Sequence, residues 1–421
     1  MKKTIAIFAL LICCALLSAN SFTPKSLIFS DSYMLRAVGS EANYWNPALI
    51  NKNRSQVWLP GLNLGVVAGN NAFDLDLYNY VMGLEYLDAA DKQRIMDSMD
   101  GRLSLNLGSQ LPLFGFTVKN VAISSTVKLT AKSAIDEEYL GLLLHGNGDG
   151  SQTFDFSRED TYLEALGYLD LTLGWGNIRL PLPHTLPDIR MGLAVSALGG
   201  IGNTSTEEFA GLLTTDLNGL NIRQDLLQRA GAGGWGAKGL VGLYTEPVKN
   251  LQVGATLDNI LGFLNWEYLR KEYSFHLQAD SLYALDLLDG TEGLVDTQFE
   301  EADTDPYVTK IPLEMRLAAK YEIKQLALTA DYIKGYGNSS ETTEQDRFAL
   351  GAEVRPFTFL SLMLGFGSGN ASYPWRTSCG IGFNLGHVEL GLGIQSIKSL
   401  YPYYNSKGAG VATYFSIRTP L

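Results

Sequence analysis

Along most of this chain apolar side chains alternate with polar or small ones in runs of roughly ten residues, and few sequence features restrict a fold as severely as that dyad repeat. Leu313-Glu314-Met315-Arg316-Leu317-Ala318-Ala319-Lys320-Tyr321-Glu322-Ile323 sets an apolar face against a charged one, and Leu326-Ala327-Leu328-Thr329-Ala330-Asp331-Tyr332 repeats the arrangement. Leu251, Val253, Ala255 and Leu257 oppose Gln252, Gly254, Thr256 and Asp258. Leu169, Leu171, Leu173 and Trp175 oppose Asp170, Thr172 and Gly174. The register returns at Phe348, Leu350, Ala352 and Val354 against Arg347, Gly351 and Glu353, and at Val388, Leu390, Leu392 and Ile394 against Glu389, Gly391, Gly393 and Gln395. Strands of this kind suit a soluble sandwich or a transmembrane barrel, and the connections favour the barrel. Short turns at Lys324-Gln325, Arg355-Pro356-Phe357-Thr358 and Leu385-Gly386-His387 alternate with long polar loops around 132–160, 266–309, 335–346 and 398–407. Short turns at one end and long loops at the other are the asymmetry of outer-membrane barrels. Tyr268, Tyr273, Tyr307, Tyr336, Tyr401, Tyr403 and Tyr404 near strand ends are expected to form an interfacial girdle.

The fold class expected is therefore all-β, a transmembrane antiparallel barrel of about fourteen strands, with sixteen as the alternative. The count turns on 102–110, which reads either as wall or as interior, and on 204–229, which lacks clean alternation. Many of the 44 glycines, such as Gly365, Gly367, Gly380, Gly382, Gly391 and Gly393, fall on inward faces, where they relieve crowding or permit a kink. Glu314, Arg316, Lys320, Glu322, Asp331, Arg347, Glu353 and Arg355 also face inward in this register. They read as a polar translocation path or, more economically, as ion pairs filling a narrow lumen.

Residues 1–19 read as a signal peptide, with Lys2 and Lys3 before an apolar run and small residues at Ser18 and Ala19. Cys13 and Cys14 leave with it, so Cys379 stands alone in the mature chain. Ile12 before Cys13 is too large for a lipobox. Loss of the two lysines takes the formal charge from -12 to -14, which argues against nucleic acid as a partner. No stretch beyond the leader is long and apolar enough for a membrane-spanning helix. Residues 20–55 read as a lumenal hatch or plug, and 56–421 as the barrel with a helical insertion near 87–100, capped at Asp88. Within the plug, Pro47 forces Asn46 to be extended and ends any helix there, while Ala37, Gly39, Ser40 and Ala42 allow tight packing.

Motifs for chemistry are weak. Gly231-Ala232-Gly233-Gly234-Trp235-Gly236 satisfies the dinucleotide fingerprint in form, but a strand pattern follows it where a helix is required. The acidic run from Asp286 to Asp305 lacks calcium-loop spacing and reads as a solvated external loop, and Asn147-Gly148-Asp149-Gly150 reads as a turn. His145, His184, His276 and His387 are scattered, with no nucleophile elbow and no zinc-protease helix. The sequence points to no enzyme, no catalytic residue, no metal and no cofactor.

Tyr44-Trp45-Asn46-Pro47-Ala48-Leu49-Ile50, the strand after it, the helix at Asp88 to Met99 and Leu257-Asp258-Asn259-Ile260-Leu261-Gly262 together resemble the FadL-like outer-membrane barrels. The resemblance implies fourteen strands plugged by an amino-terminal hatch, an outer-membrane location among lipid in a Gram-negative-type envelope, and passive transport of hydrophobic or amphipathic small molecules. Asn46, Pro47 and Ala48 carry over as hatch residues, and Tyr44, Trp45 and Trp58 are the candidate apolar ligand contacts beside them. The related PorV-like barrels imply an alternative, a barrel serving secretion or surface attachment of a protein partner. The chain ends Arg418-Thr419-Pro420-Leu421 rather than in an aromatic residue, and no fatty-acid-binding cluster aligns residue by residue.

Overall fold

A strand with one apolar and one polar face finds a stable place when the sheet closes on itself, because closure turns every apolar face outward and leaves no unpaired edge. The computed structural model describes residues 23–50, 55–58, 62–99, 101–146, 153–157, 159–183, 187–216, 219–282, 295–369, 374–401 and 405–419. The chain closes there into a fourteen-stranded antiparallel barrel. The leader expected at 1–19, with Cys13 and Cys14, lies outside the described residues.

Strand β1 is in two pieces, Ser55–Trp58 and Leu64–Asn70. Then come β2 (Arg102–Val118), β3 (Val121–Asp136), β4 (Thr153–Ser157 and Tyr162–Arg179), β5 (Ile189–Asp216), β6 (Gly219–Val248) and β7 (Leu251–Leu282). Strand β8 is in three pieces, Val295–Asp303, Tyr307–Lys310 and Glu314–Ile323, all paired with β7. The wall finishes with β9 (Leu326–Gly335), β10 (Arg347–Phe357), β11 (Leu360–Ser368), β12 (Trp375–Asn384), β13 (Val388–Ile397) and β14 (Gly408–Thr419). Both pieces of β1 lie between β14 and β2, which closes the cylinder.

The alternation is realised side chain by side chain. Leu169, Leu171, Leu173 and Trp175 are exposed on the outer face, while Asp170 and Thr172 between them are fully buried. Leu317, Leu328, Phe348 and Leu350 likewise face out, and Arg316, Thr329, Asp331 and Arg347 face in. Phe114, Phe116, Trp175, Tyr321, Phe357 and Phe359 are exposed toward the short-turn end, and Trp235, Tyr268, Phe348 and Phe366 nearer the other. Of the tyrosines expected in a girdle, Tyr268, Tyr336 and Tyr401 are exposed. Tyr307 instead turns inward because it lies opposite Trp266 in the β7–β8 register, and Tyr273 stacks on Phe299 in the outer hairpin. Tyr403 and Tyr404 lie outside the described residues.

Several sequence expectations change. Residues 102–110 belong to the wall. Residues 204–216 and 219–229 form the outer β5–β6 hairpin, and much of 266–309 is a β7–β8 hairpin rather than a loop, with 217–218 and 283–294 outside the described residues. Strands of 28, 30 and 32 residues in β5, β6 and β7 far exceed the ~9–11 needed to cross a bilayer. Along the outer half of β6 the burial is intermediate on both faces, so the alternation that marks the inner half is absent there. A small core of Phe154, Phe156, Phe209 and Leu213 forms there. The glycine-rich run 231–236 is part of β6, and Arg355 to Phe357 belongs to β10.

Residues 23–50 form a compact segment of short turns: α1 (Pro24–Ile28), a 3-10 turn Gly39–Glu41, α2 (Ala42–Trp45) and a second 3-10 turn Pro47–Leu49. The segment lies in the lumen. Wall groups bond it from around the circumference: Gln395 to the Leu27 carbonyl (3.2 Å), Ser378 to the Ile28 carbonyl (2.7 Å), and Ser32 to Asp331 (2.6 Å). Asn43 donates to Ser124 (2.8 Å), and Asn46 to the Leu243 carbonyl (3.0 Å). Wall glycines make the approach possible, since a Cβ at Gly176 or Gly192 would overlap the backbone of Pro47. Between β1 and β2, α3 (Leu75–Met82) and α4 (Ala89–Asp97) are capped by Asp74 and Asp88, and Asp88 and Asp91 cap reciprocally. Only the second of these helices is legible as such in the sequence. A further helix, α5 (Glu137–His145), follows β3.

Candidate lumenal site

The inner half of the site is the lumenal segment. Asn46 is extended (φ -156°, ψ 98°) and α2 stops before it, as Pro47 requires. Its side-chain oxygen accepts the Ala48 amide at 3.1 Å, so Asn46, Pro47 and Ala48 form one capped turn. Trp45 is buried with its ring edge-to-face with Tyr33 (5.6 Å), its indole N–H on Thr23 Oγ1 (3.2 Å), and the Arg316 guanidinium 4.5 Å from its centroid. Tyr44, Trp45 and Trp58 all lie in one buried cluster with Leu27, Ile28, Met34 and Leu49. The structure thus brings together the three aromatics singled out in the sequence and packs them within the closed lumen.

Most of the inward charges are ion-paired, while Asp331 accepts from the Ser32 hydroxyl (2.6 Å) and the Met34 amide (3.2 Å). Glu314 bridges Arg316 (2.5 Å) and Arg347, and Arg316 also meets Asp258 (3.6 Å). Lys320 pairs with Glu322 (2.6 Å), and Arg355 with Glu353 (2.8 Å). The lumenal segment joins the same network: Arg36 reaches Glu353 (2.8 Å), Asp31 meets Arg376, and Lys25 lies between Glu389 (2.9 Å) and Glu41 (3.7 Å). An ion pair taken out of water has little net worth but is costly to leave half made, so these contacts fix the position of the segment more than they add stability.

The outer half of the site went unseen in the sequence. The β9–β10 connection, residues 336–346, turns into the lumen and buries Ser340, Glu341 and Thr342. The Tyr168 hydroxyl donates to Glu341 (3.0 Å) and Thr130 donates to Ser340 (3.0 Å). Beside them Lys238 pairs with Asp170 (3.4 Å) and reaches Asn259 (3.5 Å). Lys128 lies 5.8 Å from the Tyr44 ring and 5.7 Å from the Tyr168 ring, between the two halves. Leu166, Leu198, Leu264, Trp266 and Ile311 pack around Tyr168 as a second inner core. Lys128 and Lys238 do stand at inward positions of their strands, a signal that register alone carries. A separate apolar hollow of about 550 Å³ lies on the outside of the wall, over β5 to β10, lined by Leu243, Val253, Leu317, Tyr332 and Phe348 among others.

Residues 47–231 match a family described as of unknown function, DUF5723. Comparison with curated proteins finds no match. Among solved structures, the toluene transporter TbuX of Ralstonia pickettii is 12% identical with a TM-score of 0.51, covering 95% of this chain and 98% of its own. The toluene transporter TodX of Pseudomonas putida is 9% identical with a TM-score of 0.50, covering 96% of this chain and 100% of its own. A FadL homologue of Pseudomonas aeruginosa is 12% identical with a TM-score of 0.48 and covers 96% and 98%. At such identities the likeness is one of architecture. The closed fourteen-stranded wall and the end-to-end coverage agree, and the fold of this chain is the FadL-like outer-membrane β-barrel.

Proposed function

We propose that this protein is an outer-membrane channel that passes hydrophobic or amphipathic small molecules by diffusion, without catalysis, and that residues 23–50 act as its hatch. One observation carries the reading: the lumen is filled by a segment that pairs with no strand and is held by side-chain hydrogen bonds and ion pairs, all of which water can replace. A plug of this kind can rearrange without opening the wall. The fold likeness to two barrels named as toluene transporters supports a hydrophobic cargo. The apolar outer face supports a place in lipid. In this reading Asn46, Pro47 and Ala48 are the turn about which the hatch moves, and Tyr44, Trp45 and Trp58 are the apolar surface a ligand meets once it has moved.

The test is native mass spectrometry of detergent-extracted protein, followed by toluene uptake into liposomes carrying it. A stoichiometric hydrophobic ligand together with uptake above that of empty liposomes is expected. A ligand-free barrel that takes up no toluene and co-purifies with a secreted protein would replace transport with docking.

A further inference from the structure

We propose that the apolar hollow on the outside of the wall, together with Lys249 and Lys324 at the turns beneath it, binds one anionic phospholipid of the leaflet on the short-turn side. An acyl chain fills the hollow, and the head-group phosphate lies between the two lysines. This site rests on the outer-membrane reading above and is independent of what the lumen carries.

Strand pairing makes the hollow. Paired residues share a face, so outward side chains stand in rows across the wall. Ala319 of β8 is opposite Ala330 of β9, and in the next row Ala255 of β7 is opposite Leu317 of β8, which is followed by Tyr332 and Phe348. The three alanines reach less far from the wall than Leu317, Tyr332 and Phe348 around them, and a cavity of about 550 Å³ opens over them. A lipid tail is already in hydrocarbon, so the hydrophobic effect does not draw it in. What it gains is contact, because a void against the wall leaves the lining atoms without neighbours. Any tail of suitable length fits, and the choice of lipid falls to the head group.

The turns supply that choice. Strands β6 and β7 close through Lys249-Asn250, and β8 and β9 through Lys324-Gln325. The Glu322 amide donates to the Asn250 carbonyl (3.0 Å), which holds the two hairpins side by side at this end. Two strand spacings, roughly 10 Å, separate the tips. Both lysines are exposed, and among the described residues neither is in an ion pair. The nearby acids are turned to the inner side and engaged: Glu246 accepts the Asn250 amide (3.1 Å), and Glu322 pairs with Lys320 (2.6 Å). Two positive charges thus face the boundary where lipid heads lie, and such charges favour an anionic head over a zwitterionic one, which brings its own ammonium. The depth also matches. Ala319 and Ala330 are roughly 17 Å from their turn along strands tilted by about 40°, or roughly 13 Å deep. One leaflet contributes about half of the ~30 Å hydrocarbon layer, so the hollow lies at the level of a tail whose head is at the lysines. Tyr321, half-exposed between hollow and turns, suits the passage from tail to head.

The experiment is native mass spectrometry of the full chain released from detergent that holds equal amounts of palmitoyl-oleoyl phosphatidylglycerol and palmitoyl-oleoyl phosphatidylethanolamine, which share tails and differ in head charge. One phosphatidylglycerol per barrel is expected to stay bound in preference to phosphatidylethanolamine. A lysine near a membrane surface is worth about fivefold, so Lys249→Gln and Lys324→Gln should each lower the preference about fivefold and together about 25-fold. Lys119→Gln, at the β2–β3 turn away from the hollow, should leave it as it was. Ala319→Phe fills the floor, and retention of either lipid should be lost while the barrel still shifts on boiling in detergent gels. Lysine variants that keep the preference, a Lys119→Gln that lowers it as much, or a folded Ala319→Phe barrel that keeps its lipid would each overturn the site. Flotation with vesicles of the same two lipids separates the failures. A chain that floats but retains the two lipids equally fails as an anionic-lipid site alone, and a chain that does not float fails the outer-membrane reading and the lipid site with it.

Discussion

Pro47 shows how far one residue can be read. From the sequence it dictates an extended Asn46 and a broken helix, and both are present. What the sequence does not show is that its carbonyl lies against Gly176 and Gly192 of two wall strands, since that contact joins residues far apart in the chain. Pro47→Ala relaxes the turn without leaving a large void. Unfolding stability should change by less than about 1 kcal/mol, while uptake of a hydrophobic probe into liposomes rises several-fold. Unchanged uptake would count against a moving hatch. Gly176→Leu acts from the wall side: its side chain has no room while Pro47 is in place, so the turn is displaced and single-channel conductance increases. Gly141→Ala in α5, where the new methyl meets only Met96 at 3.4 Å, should leave conductance as it was. Glu341 marks the limit of residue-level reading. An acidic residue in a polar loop looks solvated, and only the inward fold of the loop makes it a lumenal group.

Elements are legible where the wall has an apolar outer face and a polar inner one. In β8, β9 and β10 one face is apolar and exposed and the other carries buried charge, so period two is clear and their pairing register follows it. In the outer hairpins that constraint lapses. The outer parts of β5, β6 and β7 mix Thr204, Glu207, Gln228, Lys271 and Glu272 without regular order, because neither face is required to be apolar. Their stability rests on ladder bonds and a few side-chain contacts, including His276 Nδ1 to Asp225 at 2.5 Å. The hydrogen bond from His276 holds the Asp225 carboxyl below its ordinary range. A depressed carboxylate stabilises the fold above its unfolded pKa, and that contribution disappears as pH falls through the folded value. Hydrogen exchange of the β6–β7 outer amides, corrected for intrinsic rates, should therefore quicken once pH drops below about 4. Asp225→Asn should make it faster at neutral pH and remove the acid dependence, and an identical acid response in the variant would assign the opening to other groups.

For the whole molecule, wall and plug are built on different principles. The wall is a ring of backbone ladders closed through β14 and β1, and residues 23–50 contribute no strand to it. Strand number follows from the wall and could be counted from alternation. The lumenal path of 23–50 could not, because it is fixed by contacts with groups as distant in sequence as Asp331, Gln395 and Ser124. That separation has a consequence for deletion. Removing 23–50 takes partners from Glu353, Asp331, Arg376 and Glu389, a change that would be severe in a dry core. Here the vacated volume opens to the aqueous lumen, and water solvates the exposed charges at little cost. The deleted chain should still close its barrel, migrating in unheated detergent gels as a compact band that shifts on boiling, and it should conduct ions steadily in planar bilayers where the intact chain is mostly closed. A deleted chain that runs at the same position with and without heating would show that the lumenal segment is needed to form the wall.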